Sequence, residues 1–271
     1  MELKGRNAVI TGAGTGIGKL MARYFAAEKV NVALVDIQKE AIDEVAEEIR
    51  KLGGRASSYL CDISIREQVA KTTDAIKKDY GNVDLLVNNA GIVLGRKFTD
   101  LTIEEMEKTM QVNYWGHLYF TKELLPDMIR RNQGTIVNIA SAGGLLGMPS
   151  LTDYSASKFA EVGFSEALRR ELKKDGLKGV KVICVCPYTI DTGMFAGFKP
   201  MILNPLLKPE YVAQKIVAAV KNDKAYVMLP SFSMFLMRFI KLLPTSFLDW
   251  SLQATGLLDS MDAFKGRKER S

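Results

Sequence analysis

Three side chains of this sequence have the types and the spacing of an acid/base group. Tyr154 and Lys158 are four residues apart in a segment with helical periodicity, and Ser141 lies 13 residues before Tyr154 at the end of an apolar run. Residues four apart on a helix share a face, so the phenol and the ammonium group can reach one pocket. Free tyrosine titrates at about 10, and nearby cations such as Lys158 and an oxidised nicotinamide are expected to lower that pKa. The set predicts a base that removes a proton from an alcohol while hydride leaves its carbon, with Ser141 bonding the substrate oxygen.

A glycine-rich turn follows the first apolar run. Gly12, Gly16 and Gly18 lie in this turn, and a helical pattern begins at once. Glycines let the backbone approach a pyrophosphate, whose charge is met by unpaired N–H groups and by the helix dipole. The spacing G-x-x-x-G-x-G departs from the G-x-G-x-x-G dinucleotide fingerprint. The turn alone therefore leaves two interpretations open, a dinucleotide site and a purely structural turn.

Two acidic residues close the next two apolar runs. Asp36 lies 18 residues after Gly18, where a carboxylate can accept hydrogen bonds from the adenosine ribose of a dinucleotide. A carboxylate repels a 2′-phosphate, and neither Thr15 nor Ile37 is basic, so the sequence predicts NAD(H) rather than NADP(H). The alternative for Asp36 is a cap at the end of its strand. Asp62 is placed to bond the adenine ring, and a structural role is equally open.

All of these residues fall at the ends of predicted strands. Short runs rich in β-branched residues alternate with helical segments up to about residue 187, which indicates βαβ units and a parallel sheet. The predicted strands are Asn7 to Thr11, Asn31 to Asp36, Ala56 to Asp62, Asp84 to Ala90, Gly134 to Ser141, Val180 to Pro187 and Ala225 to Pro230. The predicted helices are Gly16 to Glu28, Gln38 to Leu52, Ser64 to Tyr80, Thr102 to Arg130, Asp153 to Asp175 and one opened by Pro209. We therefore expect a single-domain, doubly wound α/β fold that binds its ligands beyond the carboxyl ends of the strands.

When further motifs are added to the catalytic set and the glycine turn, the sequence resembles the short-chain dehydrogenase/reductase family over roughly residues 5 to 230. The further motifs are Asn88 to Gly91 after the fourth strand, Asn113 in the next helix and Pro187 to Thr192 after the sixth strand. The resemblance implies a Rossmann-like sheet of about seven strands, with Tyr154 as catalytic acid/base, Lys158 as ribose ligand and Asn113 as organiser of a water-linked proton relay. It also implies that the backbone of Asn89 to Gly91 supports the cofactor and that Ile190 and Thr192 contact its nicotinamide end. The family's usual Pro-Gly is Pro187-Tyr188 here, which is expected to reshape the pocket without preventing catalysis.

The candidate site residues form three overlapping sets. The predicted catalytic residues are Asn113, Ser141, Tyr154 and Lys158. The predicted cofactor-binding residues are Gly12, Thr15, Gly16, Ile17, Gly18, Asp36, Asp62, Ile63, Asn89, Ala90, Gly91, Tyr154, Lys158, Pro187, Ile190 and Thr192. The predicted substrate-binding residues are Ser141, Tyr154, Tyr188, Met194 and Phe195. No metal site is expected, because the single histidine, His117, has no Cys/His cluster around it and is interpreted as packed or solvated.

An apolar loop within residues 188–208 is expected to contact the substrate. Its apolar side chains are Met194, Phe195, Phe198, Met201, Ile202 and Leu203. The segments Asp191 to Phe195, Leu207 to Ala213 and Met261 to Phe264 resemble the branch that contains retinol dehydrogenases and 17-beta-hydroxysteroid dehydrogenases of the endoplasmic reticulum or lipid droplets. The apolar loop and the resemblance to this branch both favour a lipophilic alcohol, or its carbonyl compound, as the substrate. The alternatives are a loop that only closes the core, an enzyme for sugars, small polar ketones or acyl carbonyls, and a catalytically idle NAD-binding membrane scaffold.

Composition bounds the protein class. The chain has 271 residues, 47% apolar and 25% charged, which fits a globular protein and excludes wholesale disorder. Its three cysteines are too few and too scattered for a disulfide framework, so reduced thiols are expected. The first residues lack the apolar region of a signal peptide, and no run of 18 apolar residues occurs, so a membrane span is not expected.

Residues 1–230 are predicted to form the catalytic unit and residues 231–271 a helical, basic extension of the same domain. Apolar side chains between Phe232 and Leu243, with basic ones between Lys265 and Arg270, would suit a peripheral helix on a membrane or lipid-droplet surface at the cytoplasmic side. Docking of this helix on the core or on a second subunit is equally open. The resemblance favours a homodimer or homotetramer, and no nucleic acid is expected because no recognised binding motif accompanies the net charge of +6.

Overall fold

The computed structural model describes residues 1–200, 205–232, 239 and 241–266. The strands are β1 (Asn7–Thr11), β2 (Asn31–Asp36), β3 (Ala56–Leu60), β4 (Leu85–Asn88), β5 (Gly134–Ile139), β6 (Val180–Pro187) and β7 (Tyr226–Leu229). The helices are α1 (Gly16–Ala27), α2 (Lys39–Lys51), α3 (Arg66–Tyr80), α4 (Ile103–Met110), α5 (Gly116–Arg131), α6 (Thr152–Lys174), α7 (Pro209–Lys221) and α8 (Thr245–Ala254). The seven predicted strands and the helices between them are confirmed. The predicted helix from Thr102 to Arg130 contains an internal π-helical turn, Gln111–Trp115, between α4 and α5.

The seven strands form one parallel sheet in the order β3-β2-β1-β4-β5-β6-β7. The chain adds strands outward from β1 to β3, then returns to the other side of β1 and continues outward from β4 to β7. A crevice opens where the direction reverses, between the carboxyl ends of β1 and β4. The predicted single-domain, doubly wound, Rossmann-like fold is thereby confirmed.

Both faces of the sheet are covered by helices. In β1, Ala8 and Ile10 pack with apolar side chains of α1, α2 and α7. Val9 points the other way, into a core shared with α3, α5 and α6. Strands buried on both faces read as continuous apolar runs, which explains why periodicity located them. Burial of apolar surface on both faces of the sheet, worth roughly 25 cal/mol per Å², holds the strand ends in place.

The C-terminal extension differs from the rest of the fold. Helix α8 buries none of its side chains, whereas Leu257 and Met261 return to the protein and are almost fully buried. Several apolar or basic residues of the loop and of the C-terminal segments discussed in the sequence analysis lie outside the described residues: Met201, Ile202, Leu203, Phe235, Leu236, Arg238, Ile240, Arg267, Lys268 and Arg270. Within the part that is described, no helix has both the length and the apolar character that spanning a bilayer requires. The three cysteines are buried and form no disulfide in the described part of the chain.

Candidate active site

The glycine turn between β1 and α1 has no room for side chains. Gly12 has a φ of +64°, and a Cβ there would lie 2.8 Å from the Cα of Ala90. A Cβ on Gly18 would lie 2.0 Å from the carbonyl oxygen of Gly12. No side chain caps the N-terminus of α1, so its first backbone N–H groups are available to an anion. Gly12, Gly16 and their neighbours line a cavity, whereas Gly18 packs behind the turn.

A second loop, after β4, forms the opposite wall of this turn. The backbone N–H groups of Asn89 and Ala90 donate to the hydroxyl of Thr11, at 2.9 and 3.1 Å. The Asn89 side-chain amide donates to the carbonyl oxygen of Thr11 at 2.9 Å. These bonds fix the two loops to each other before any ligand binds. Thr11 was not among the predicted site residues, because nothing distinguishes its hydroxyl from that of any other strand-end threonine.

The Asp36 carboxylate stands at the end of β2 and lines the same cavity. It accepts hydrogen bonds from the backbone N–H groups of Gly14, at 2.9 Å, and Gln38, at 3.1 Å. Asp36 therefore caps the strand end and ties it to the glycine turn while still facing the cavity. The two interpretations that the sequence left open are compatible.

Asp62 and Ile63 line the cavity beyond β3. The Asp62 carboxylate accepts hydrogen bonds from the hydroxyl of Ser64, at 2.6 Å, and the ammonium of Lys108, at 3.2 Å. Burial acts to raise the pKa of Asp62, but these hydrogen bonds outweigh it and the net pKa is lowered. An ionised carboxylate thus lies at the predicted adenine end of the site.

Ser141, Tyr154 and Lys158 meet at the other end of the cavity. Ser141 follows β5, and its hydroxyl accepts from the backbone N–H of Gly143 at 3.1 Å. Tyr154 and Lys158 lie on α6, with the Lys158 Nζ 5.9 Å from the centroid of the Tyr154 ring. The same Nζ donates to the carbonyl oxygen of Ile139 at 2.7 Å, which anchors the ammonium to the end of β5. The predicted convergence of hydroxyl, phenol and ammonium is present in the structure.

The pKa of Tyr154 differs from the expectation. Burial raises it to about 12, and a hydrogen bond with the Ser141 hydroxyl only partly opposes this. Lys158 and an oxidised nicotinamide together are expected to lower this pKa, and the protein groups alone do not lower it. Lys158 is itself buried, and burial lowers its own pKa while the charge of Glu161 acts in the opposite direction. A positive charge beyond those of the protein is needed to make the phenol a base near neutral pH.

Asn113 lies within the π-helical turn between α4 and α5, and its side chain is fully buried. Its amide N–H groups donate to the Ile92 carbonyl oxygen, at 2.9 Å, and the Ser157 hydroxyl, at 3.1 Å, while its oxygen accepts from the Ile92 N–H at 2.8 Å. Asn113 therefore joins the loop after β4 to α6. Its side chain does not line the cavity, although it lies directly behind Gly91. π-helical turns are often found at functional sites, but no sequence pattern marks this one.

The substrate side of the cavity is aromatic. The Phe195 ring meets that of Tyr154 edge to face at 5.7 Å, and the Phe264 ring lies 6.3 Å from Phe195. The other predicted residues from the end of β6 onward also line the cavity: Pro187, Tyr188, Ile190, Thr192 and Met194. Leu257 lines it from the C-terminal extension, and Met261 packs in one apolar cluster with Tyr154. The segment from Met261 to Phe264 was noted in the sequence, but no site role was predicted for it.

One cavity of about 360 Å³ thus joins every predicted site residue except Gly18 and Asn113. It extends from Asp36 and Asp62, past the glycine turn and the Asn89 to Gly91 loop, to the phenol and the aromatic cluster. This layout places the N-terminus of α1 at its centre, the carboxylates of Asp36 and Asp62 at one end, and the Tyr154 phenol beside apolar walls at the other.

Comparisons with known proteins agree with this layout. A family model described as short chain dehydrogenase matches residues 6–202. "Epidermal retinol dehydrogenase 2" of Mus musculus is 40% identical over 273 residues, covering 100% of this chain and 88% of that protein. "17-beta-hydroxysteroid dehydrogenase 13" of Rattus norvegicus is 40% identical over 231 residues, covering 85% of this chain and 77% of that protein.

Two solved structures show the same fold. A short chain dehydrogenase/reductase from Burkholderia phymatum in complex with NAD has a TM-score of 0.82 at 25% identity, covering 100% of this chain and 99% of that one. A metagenomic short-chain oxidoreductase in complex with NADP has a TM-score of 0.72 at 27% identity, covering 84% of this chain and 98% of that one.

Proposed function

This chain belongs to the short-chain dehydrogenase family, and on that premise we propose that it uses NAD(H) to interconvert a lipophilic alcohol, of retinoid or hydroxysteroid type, and its carbonyl compound. Oxidoreduction at an alcohol carbon follows from the family and from the relatives named as dehydrogenases. Structural neighbours bind NAD or NADP. The observation that carries the proposal is the single cavity in which the glycine turn, the Ser141-Tyr154-Lys158 group and an aromatic wall meet.

The residues present fit a dinucleotide. Side chains at Gly12 and Gly18 would fill the turn, and the uncapped start of α1 suits a pyrophosphate. Asp36 supports NAD(H), because its carboxylate would accept hydrogen bonds from ribose hydroxyls and would repel a 2′-phosphate. A bound dinucleotide would supply the hydride donor or acceptor and, when oxidised, a positive charge near Tyr154 that would favour its phenolate.

The chain's own residues handle the substrate oxygen. The Ser141 hydroxyl bonds that oxygen and holds it near the phenol. During oxidation Tyr154 accepts the hydroxyl proton, and during reduction it returns a proton to the carbonyl oxygen. The Lys158 ammonium favours the phenolate, while Phe195 and Phe264 keep water from the reacting groups. Asn113 lies behind the cavity, where its side chain fixes the loop at Ile92. We propose that it supports the proton relay by holding this loop in place.

Substrate comparison by NADH absorbance tests the proposal. We expect kcat/KM for retinol or estradiol to exceed that for a small polar ketone by about 100-fold. The larger lipophilic substrate buries roughly 150 Å² more apolar surface than the small ketone does, which is worth about 4 kcal/mol of binding free energy. Part of this free energy is lost in ordering the substrate. A preference for the polar ketone would favour the alternative enzyme. Absence of turnover with all three substrates and both cofactors would favour the idle scaffold.

We also propose that α8 and the turn before it dock on an anionic membrane surface. Phe247 and Trp250 are 48% and 63% exposed, and Leu242 and Leu243 beside them are exposed too. A ten-residue helix that buries none of its side chains needs another surface to remain helical. The exposed Lys265 and a net charge of +6 favour anionic lipid. A membrane would also supply a lipophilic substrate next to Leu257.

Vesicle co-sedimentation tests this docking. We expect the F247S/W250S variant to bind vesicles of phosphatidylcholine and phosphatidylserine at least about tenfold more weakly than the wild type, because two large apolar side chains no longer insert. The L52S/L60S variant, which removes two exposed leucines near β3, is the matched control and should bind as the wild type does. Equal binding of all three proteins would contradict the proposal. A dimer that F247S/W250S dissociates, seen by light scattering, would assign α8 to a second copy instead.

A homodimer or homotetramer remains our proposal for the assembly. Trp115, which directly precedes α5, and Ile129 on α5 are partly exposed, which supports contact with another copy through this part of the surface.

A further inference from the structure

His117 and Glu161 form a buried pair that the proposed mechanism does not use. His117 is the only histidine of the chain and lies on α5, while Glu161 lies on α6. Neither side chain is exposed at all. The imidazole Nδ1 is 3.1 Å from Oε2 of Glu161, and Nε2 is 2.8 Å from the carbonyl oxygen of Ala90.

Hydrogen-bond accounting fixes one proton of this pair. A carbonyl oxygen can only accept, so Nε2 carries a proton and donates it to Ala90. Nδ1 of His117 and both carboxylate oxygens of Glu161 make no hydrogen bond in the described part of the chain, so the two groups face each other at 3.1 Å as an ion-pair contact. The pair thus places a buried carboxylate beside an imidazole whose other nitrogen bonds the Ala90 loop.

The pair touches the active site at two points. Ala90 is the middle residue of the loop that lines the cofactor side of the cavity, and its N–H is already held by Thr11. Glu161 lies three residues after Lys158, one turn along the same helix. Burial lowers the pKa of Lys158, and the charge of Glu161 opposes that shift. The pair thus bonds the loop at Ala90 and lies one helical turn from the Lys158 ammonium.

We propose that His117 and Glu161 are positioning residues, in which the imidazole holds the Ala90 loop against the nicotinamide half of the cofactor and the carboxylate places a negative charge one helical turn from the Lys158 ammonium. This inference rests on the proposed NAD(H)-dependent function. A buried ion pair contributes little to stability when compared with apolar residues of similar size. Its presence beneath the site is therefore better explained by function than by folding.

Other titratable groups face the carboxylate and are included in the test. Tyr114 faces it from the π-helical turn, and the charge of Glu161 contributes, after burial, to a raised pKa of Tyr114. Cys184 faces it from β6, where the hydrogen bond with Cys186 lowers the pKa of Cys184 and Glu161 acts against that. Cys184 and Cys186 also act to raise the pKa of Lys158, so the pH profile of turnover reports on Lys158 together with these two thiols.

Two variants separate the two roles. Glu161→Gln keeps a hydrogen-bonding group beside Nδ1 but removes the charge. We expect its Kd for NADH, by fluorescence titration, to stay within about twofold of the wild type. The ascending limb of kcat/KM for alcohol oxidation should move about one unit to higher pH. The sign follows because Lys158 loses its proton at lower pH without the carboxylate, so the Tyr154 phenolate is less stabilised.

The H117F/E161M variant removes both polar groups while keeping the volume. We expect its Kd for NADH to rise about tenfold, because nothing holds the Ala90 carbonyl, with the same alkaline shift of the pH limb. Arg131→Met is the matched control: it breaks a partly buried ion pair with Asp84, 2.9 Å long, at the amino end of β4 and away from the cavity, and should lower stability without changing either readout. Unchanged Kd and unchanged pH limb in both test variants would overturn the inference.

Nuclear magnetic resonance of the tag-free protein gives a readout that needs no turnover. Since the chain has one histidine, ¹⁵N-histidine labelling yields one imidazole. We expect a slowly exchanging proton on Nε2, and a change in its resonance when NADH binds. An unprotonated or freely exchanging Nε2 would overturn the inference even if H117F/E161M fails to fold. Wild-type protein that binds NADH but turns over no substrate would instead defeat the proposed function and leave this readout valid.

Discussion

Tyr154→Phe is expected to lower kcat by about 10³-fold or more while leaving the Kd for NADH within about threefold of the wild type. The substitution removes the only atom of the side chain that can carry the proton, and general acid/base groups typically contribute 10²- to 10⁴-fold. The ring stays, so its contact with Phe195 and the shape of the cavity are kept. Steady-state turnover and NADH fluorescence titration measure the two quantities independently.

The pH profile of the wild type belongs to the same test. Burial raises the pKa of Tyr154 to about 12 in the protein alone, so the phenol is protonated at neutral pH unless further positive charge is present. Oxidation needs the phenolate, so log kcat/KM for the alcohol should rise with pH and level off above the pKa of Tyr154 in the complex with oxidised cofactor. Reduction needs the phenol and should fall over that range.

Tyr80→Phe is the matched control for Tyr154→Phe. The Tyr80 hydroxyl is also buried and donates to the carbonyl oxygen of Val32 at 3.0 Å, far from the cavity. Its loss should cost about 1 kcal/mol of unfolding free energy and leave kcat unchanged. Retention of activity in Tyr154→Phe, or an equal loss in Tyr80→Phe, would remove Tyr154 from the proton transfer.

Strand positions were predictable because each buried strand is a short apolar run between polar or glycine-containing segments. β1, β2 and β6 have the predicted bounds, while β3 ends at Leu60 instead of Asp62. The residues of the glycine turn and of α6 were also predictable, because both patterns are local. The glycines are closely spaced directly after β1, and Tyr154 and Lys158 are four residues apart on one helix and therefore share a face. The π-helical turn was not, because one additional residue in a helical turn leaves the apolar pattern almost intact.

Contacts between distant elements could not be predicted from local patterns. Leu257 and Phe264 reach the substrate side only because the extension folds back across the cavity. His117 was interpreted as packed or solvated, and the structure confirms packing, but its partners Glu161 and Ala90 come from other parts of the chain. A lone glutamate on a helix normally indicates a solvated face. Its burial here depends on tertiary packing that periodicity does not contain.

Asp36→Asn is expected to change the cofactor preference more than any other single substitution at this site. We expect the ratio of kcat/KM with NAD to kcat/KM with NADP to fall by about 100-fold. The amide still accepts the hydrogen bond from the Gly14 N–H, so the glycine turn should keep its shape. The ribose hydroxyls lose charge-assisted hydrogen bonds worth about 1.5–3 kcal/mol. A 2′-phosphate escapes repulsion of roughly 1 to 4 kcal/mol from a nearby carboxylate.

Glu44→Gln provides the control for this change of charge. Glu44 is exposed on α2, near Asp36 in sequence but outside the cavity lining. The same loss of one negative charge there should leave the cofactor ratio within about twofold, since exposed charges are screened by salt. Because the Asp36 effect acts at short range, it should also persist when the ionic strength is raised, whereas a general field effect should not. A wild type that prefers NADP, or an Asp36→Asn variant with an unchanged ratio, would show that the carboxylate only caps β2.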